Sequence, residues 1–263
     1  EEAGGVVLGG LHGDHAGDVF AGRGIEEALE QRCFDRQRHE FIEQLPRPGR
    51  KFVDGVDFFG GACLDLCAAW GTGFFAGPMY SAVGKARMLP PDERKREWER
   101  AVTNLRKVCG LAAARGGQIA LEPLNRFESD LVNRAADVMR LIRDIGHPAA
   151  KVVLDGFHMS IEEPDLEQAI RETGDQLIHV QVSENYRGIP GTGQARWDAL
   201  YRGLQAVNYR GTVSIESFTP NNKELAEAVC IWQPLAASQD AFAREGLAFL
   251  RSWSRQETPA AAH

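Results

Sequence analysis

Residues 151–158 read KVVLDGFH, a short aliphatic run that ends directly on an aspartate. A run this short and this continuously apolar is the pattern of a strand buried on both faces, as in a parallel sheet. The pattern recurs on either side of it. Residues 72–79 (TGFFAGPM), 118–123 (QIALEP), 177–184 (LIHVQVSE) and 212–218 (TVSIESF) are equally short and apolar at their centres. They follow one another at roughly 30-residue intervals, with one wider gap after Met79, so each interval has room for a helix.

The intervening segments carry helix punctuation. Pro90, Pro91 and Asp92 open a helix whose face is Trp98, Val102, Leu105 and Cys109, and Gly116 with Gly117 closes it. Pro164 and Asp165 open another, running through Leu166 and Ile170 to Gly174. Residues 53–70 read as a helix ahead of the strand at 72–79. Strands separated by helices imply βαβ units, a parallel sheet and right-handed crossovers.

Four of the strands end in polar or ionisable residues: Glu122, Asp155 with His158, Gln181 with Glu184, and Glu216. In a (β/α)8 barrel the C-terminal strand ends converge on one face, where side chains from separate units can share a site. An open doubly wound sheet offers one crevice and commonly a glycine-rich first turn, and neither GxGxxG nor GxxxxGK[ST] occurs here. The chain is therefore expected to be a single (β/α)8 TIM barrel over residues 1–263, with a frayed polar tail at 254–263. Residues 1–52 match this pattern poorly. They offer a strand at 5–10 (GVVLGG), a helix at about 25–45 and a break at 46–50 (PRPGR). Five strands are clear, a sixth rests on GVVLGG alone, and none is found for the seventh and eighth. The barrel is expected to be irregular or incomplete at its N-terminal side.

Composition narrows the function. With 43% hydrophobic and 25% charged residues, the 263-residue chain is an ordinary globular sequence, and its formal charge of -7 leaves no broad basic footprint for nucleic acid. Cys33, Cys63, Cys67, Cys109 and Cys230 are odd in number and form no CxxC pair, which argues against a disulfide framework or a zinc ribbon. They read as buried thiols of a reducing compartment. The sequence lacks a membrane-length apolar run and a basic-then-apolar leader, so a cytoplasmic protein without membrane contact is expected.

A carboxylate placed straight after apolar strand residues is costly unless it is paired or metal-bound. Glu122, Asp155 and Glu216 repeat that placement in three units. Singly, each could cap a helix or meet an arginine. Together, with Gln181 adding an amide oxygen, they form a donor set for a hard divalent cation such as Mn²⁺ or Mg²⁺. His179 points the same way as Gln181 and lies deeper, as an outer partner of the site or as a core histidine. Such a cation could act as a Lewis acid on a hydroxyketone, with Glu122 and Glu216 as base and acid on opposite faces.

Several segments carry a family resemblance. Residues 121–128 (LEPLNRFE), 154–163 (LDGFHMSIEE) and 183–193 (SENYRGIPGTG), with 80–85 (YSAVGK) and 232–240 (WQPLAASQD), resemble the xylose-isomerase-like barrels. The nearest branch is that of the D-tagatose/D-psicose (allulose) 3-epimerases and related sugar phosphate isomerases and epimerases. The resemblance runs from about Val53 to Trp253. It implies a metal held by Glu122, Asp155, Gln181 and Glu216, with manganese foremost and magnesium or cobalt as alternatives. It further implies that Glu128, His158 and Arg187 contact the oxygens of a sugar, that Glu122 and Glu216 are the catalytic pair, and that the protein is a homodimer or homotetramer. From the residues alone, His158 could be a core histidine and Arg187 a solvated loop residue. As it lies three residues beyond Asp155, His158 must leave the strand to face the site.

Two departures keep alternatives open. The epimerases usually carry histidine where this chain has Gln181, whereas related hydroxypyruvate isomerases use glutamine there. That substitution favours a small hydroxycarbonyl isomerase, while Glu128 and the loop from Arg187 to Gly193 favour a full-length ketose. The unusual N-terminal part admits a sugar-binding barrel without turnover. A nuclease of the endonuclease IV type would need a histidine-rich zinc site and a basic groove, and seven histidines in a chain of charge -7 do not supply them.

Overall fold

The structure, a computed structural model, describes residues 55–255. The expected strand at 5–10, the helix at 25–45, the break at 46–50 and most of the C-terminal tail lie outside these residues. Helix α1 (Gly55–Ala69) leads into strand β1 (Phe74–Gly77), followed by α2 (Pro91–Ala113) and β2 (Gln118–Leu121). Then come α3 (Ala135–Ile145), β3 (Ala150–Asp155), a short helix α4 (Gly156–Glu162), α5 (Leu166–Thr173) and β4 (Leu177–Val182). The last elements are α6 (Trp197–Ala206), β5 (Val213–Ile215), α7 (Lys223–Ala228) and α8 (Gln239–Trp253). The described strands form one sheet in chain order, β1-β2-β3-β4-β5, with every neighbouring pair parallel. These are the strands read from the sequence, and they make up a half-barrel.

Strand alternation explains the two-sided burial. Ile119 and Leu121 of β2, Val152 and Leu154 of β3, and Val180 and Val182 of β4 join the apolar layer under the helices. That layer includes Leu105, Val108, Cys109 and Ala112 of α2, with Val138, Leu141, Ile142 and Ile145 of α3. Each fully buried leucine or isoleucine there contributes roughly 1.5–3 kcal/mol. The alternate positions, Ala120, Val153 and His179, are also buried but face the concave side. The concavity is real, because the Phe74 ring on β1 lies 5.2 Å from that of His179 on β4, two strands intervening. Such a contact needs a curled sheet.

The expected strands are longer than the observed ones. Residues 151–158 were expected as one extended run, yet the strand stops at Asp155 and helix α4 begins. The aspartate itself causes the switch, since its side chain accepts the Phe157 N–H at 2.8 Å and caps the helix. The cysteine reading also needs correcting: Cys109 is buried, but Cys63 and Cys67 are half-buried and Cys230 is exposed. No helix among the described residues is long and apolar enough to cross a membrane.

Candidate active site

Glu122 follows β2, Asp155 ends β3, Gln181 is the penultimate-but-one position's successor on the inward side of β4, and Glu216 follows β5. The alignment of β4 depends on an irregularity. Val152 pairs with Leu177 but Val153 pairs with His179, so Ile178 is an extra residue in the ladder. This slip of one position puts His179 and Gln181 on the same side as Val153 and Asp155, and sets Gln181 beside Asp155. Without it, Ile178 and Val180 would face the interior.

Asp155 is fully buried and divides its carboxylate: Oδ1 caps α4, and Oδ2 accepts from Arg187 Nη1 at 3.0 Å. The same Nη1 donates to Glu216 Oε2, and Nη2 lies 3.9 Å from Glu128 Oε1. Arg187 is only 4% exposed, so the solvated-loop reading is wrong; its guanidinium lies 4.0 Å from the Phe157 ring centre and 4.9 Å from that of Phe218. Its backbone takes a left-handed φ of 65°, uncommon for a residue with a Cβ. Burial alone would pull its pKa down, but Asp155, Glu216, Glu128 and Glu122 outweigh burial and hold it above the ordinary arginine value.

His158 reaches the cluster from α4, away from the strand as expected. Its Nδ1 accepts the Asn125 backbone N–H at 3.0 Å, and the Asn125 side-chain nitrogen is 2.9 Å away. An acceptor Nδ1 leaves the proton of a neutral imidazole on Nε2. Burial pushes the His158 pKa down to about 4, so the ring is neutral near pH 7. Nε2 faces the carboxylates, 3.7 Å from Glu122 and 3.8 Å from Asp155, as a fixed N–H donor. It also lies 3.2 Å from Arg187 Nη2, which sets two nitrogen donors side by side.

The carboxylates differ in proton affinity. Burial, then Glu216 and Asp155, raise Glu122 well above the usual carboxylate range, against the pull of Arg187. Burial and Asp155 push Glu216 up to about 8, with Arg187 again opposing. Burial also raises Glu128, which accepts from the Asn125 side chain at 2.7 Å. Two carboxyls whose proton affinity is raised in this way suit proton exchange with a substrate.

The donor set fits a hard cation. Gln181 Nε2 donates to Glu216 Oε1 at 3.4 Å, while its buried Oε1 has no hydrogen-bond partner. An orphaned amide oxygen on a residue that pairs with Asp155 and bonds Glu216 is a candidate ligand for an oxygen-seeking ion. Glu122, Asp155 and His158 also offer ligand atoms within 4.8 Å of one another, but the proton on Nε2 makes His158 the weaker candidate of the three.

The structure thus gathers Glu122, Glu128, Asp155, His158, Gln181, Arg187 and Glu216 in one place. His179 lies below, its Nε2 2.9 Å from Ser214 Oγ, and burial lowers its pKa to about 4. Sequence reading gave no role to Asn125, which orients both His158 and Glu128, although it stands inside the quoted LNRFE segment. Tyr80 was also missed: its buried hydroxyl donates to Val132 O and accepts the Leu124 N–H, bracing the Asn125 loop. Glu184, a strand-end acid like the others, turns away from the cluster towards its own loop.

Comparison with known proteins matches residues 50–253 to a family described as a xylose isomerase-like TIM barrel. A probable ketose 3-epimerase of Synechocystis sp. is 33% identical over 188 residues, which cover 72% of this chain and 65% of that protein. An L-ribulose 3-epimerase of Mesorhizobium japonicum is 38% identical over 156 residues, 59% of this chain and 52% of that protein. The crystal structure of a D-allulose 3-epimerase from Methylomonas sp. gives a TM-score of 0.72 at 28% identity, covering 76% of this chain and 70% of that one. Against these curated relatives the chain spans about half to two thirds of their length.

Proposed function

The chain belongs to the xylose isomerase-like TIM barrel family, and from that membership we propose that it is a metal-dependent epimerase of a ketose sugar, inverting the carbon next to the carbonyl, C3 foremost. One observation carries the reading: two carboxyls with raised pKa, the buried Glu122 and the half-buried Glu216, reach one space from β2 and β5 with Asp155 between them. The ketose 3-epimerase names of the relatives support it.

Glu122, Asp155, Gln181 and Glu216 would hold a divalent ion, manganese foremost by the family resemblance, with magnesium or cobalt as alternatives; an all-oxygen donor set suits such hard ions. Bound there, such an ion supplies Lewis acidity that eases loss of a proton next to a carbonyl. The rest of the chemistry belongs to the chain. One of Glu122 and Glu216 takes the C3 proton from one face, and the other returns a proton to the opposite face. A raised proton affinity on each fits the pair to pass a proton to and from the substrate. His158 Nε2–H and Arg187, whose donors lie side by side, donate to a substrate oxygen, and Glu128 accepts from a hydroxyl. The protein would act as a homodimer or homotetramer in the cytoplasm.

Gln181 favours a second reading, isomerisation of a small hydroxycarbonyl such as hydroxypyruvate. One experiment separates the two. D-fructose, D-psicose and D-tagatose are incubated with the protein and Mn²⁺ in D₂O and followed by ¹H NMR. The epimerase reading expects deuterium at C3 and interconversion of epimers, both lost in Glu122→Gln and in Glu216→Gln. Deuterium at C1 would point to aldose–ketose isomerisation. No exchange at any carbon by a folded, metal-loaded protein would refute a ketose substrate.

A further inference from the structure

Glu184 is fully buried, and its carboxylate is spent on its own loop. Oε2 accepts from the Gly191 N–H at 2.9 Å and the Trp197 indole N–H at 3.1 Å, and Oε1 accepts from the Ala195 N–H at 2.7 Å. The backbone of the same residue closes the other end of the loop. Its N–H donates to Gly188 O at 2.9 Å, and its carbonyl accepts the Arg187 N–H at 2.9 Å. Residues 184–188 form a tight turn and residues 191–197 a return segment, and Glu184 joins the two. The fit is close: a Cβ on Gly193 would lie 2.5 Å from Glu184 Cγ.

At the tip of the turn stands Arg187, in the left-handed conformation that L-residues avoid unless their surroundings impose it. That backbone conformation directs the guanidinium inward between Phe157 and Phe218, onto Asp155 and Glu216. We propose that Glu184 is a positioning residue: its buried carboxylate, joined to Gly191, Ala195 and Trp197, holds the turn that keeps Arg187 in the acid cluster. Both oxygens of Glu184 face N–H donors only. Glutamine at this position keeps the shape but turns an NH₂ group towards at least one donor, so it loses one contact and adds a repulsion. The consequence for turnover rests on the proposed epimerase function, whereas the placement of Arg187 does not.

The test therefore reads the placement first. Between two aromatic rings the Arg187 side chain should give ring-current-shifted Nε–H and Cδ–H signals, assigned by their loss in Arg187→Lys. In Glu184→Gln those signals are expected to move towards free-arginine positions while the protein stays folded. Trp197→Phe, which removes a single donor, should move them part of the way and stands in if Glu184→Gln does not fold. Unmoved signals in a folded variant overturn the proposal. Kinetics give the second readout: KM for the ketose should rise about tenfold in Glu184→Gln with kcat within about twofold. In the Arg187→Lys background the same change should have almost no further effect. An equal rise in both backgrounds means that Glu184 does not act through Arg187 and overturns the proposal. Moved signals in a protein that turns over no ketose leave the positioning role standing and remove the epimerase reading.

Discussion

Glu216 stands at about pH 8 because burial and the nearby Asp155 oppose its ionisation more than Arg187 favours it. Two outcomes follow from the sign of that shift. A cation must displace the proton, so Mn²⁺ affinity measured by titration should rise with pH, the Glu216 proton contributing up to roughly tenfold per unit below about pH 8. In chelator-treated protein the raised folded pKa favours the fold fully below the ordinary value of 4.5, and this contribution fades as pH climbs through about 8. The melting temperature should therefore fall over that window and fall less in Glu216→Gln. The effect will be blunted, since the Glu216 side chain is still 23% exposed. At this scale Glu122, Asp155, Gln181 and Glu216 were readable because each directly follows or interrupts an aliphatic run. Asn125 and Glu184 were not, since Asn125 donates from a loop to His158 and Glu128, and Glu184 accepts from loop N–H groups, contacts whose placement has no sequence period.

Among the elements, helix starts were the more legible part. The Asp165 side chain accepts the Gln168 N–H and opens α5, and Pro91 opens α2, both as their residue types require. The register slip at Ile178 could not be read, because Leu-Ile-His-Val-Gln-Val fits either phase until β3 lies beside it. Helix α4 was hidden for a related reason: Asp155 looks like the end of a strand and acts as a helix cap at the same time. The loop after β2 depends on Tyr80, whose hydroxyl bridges Leu124 N–H and Val132 O in the core. Tyr80→Phe removes that bridge, while the Leu124 N–H keeps its direct bond to Val132 O at 3.2 Å, so the change should cost about 0.5–1.5 kcal/mol in a denaturant titration. The unfolding slope should be unchanged, as the surface exposed on unfolding stays the same.

For the molecule as a whole, burial is uneven across the sheet. Every residue of β1 and β5 is only half-buried, whereas β2, β3 and β4 are mostly buried. Hydrogen exchange should reflect this, with β3 amides the slowest and those of β1 and β5 exchanging through smaller openings. Protection that is equal across all five strands would mean the edges are covered in solution. The alternation of strands and helices was legible as periodicity. The curl was not, and the barrel was inferred from the strand-end acids, the lack of a glycine-rich first turn and the family resemblance. Chain order and strand order coincide in this sheet, so no late strand must be threaded between earlier ones. A chain leaving the ribosome can lay the sheet down in the order of its synthesis. The acid cluster then gathers one side chain at a time: Glu122, Asp155, the neutral Gln181, then Arg187, and Glu216 last. The Arg187 guanidinium is thus synthesised before Glu216, so the counter-charge leaves the ribosome ahead of the last of the three acids.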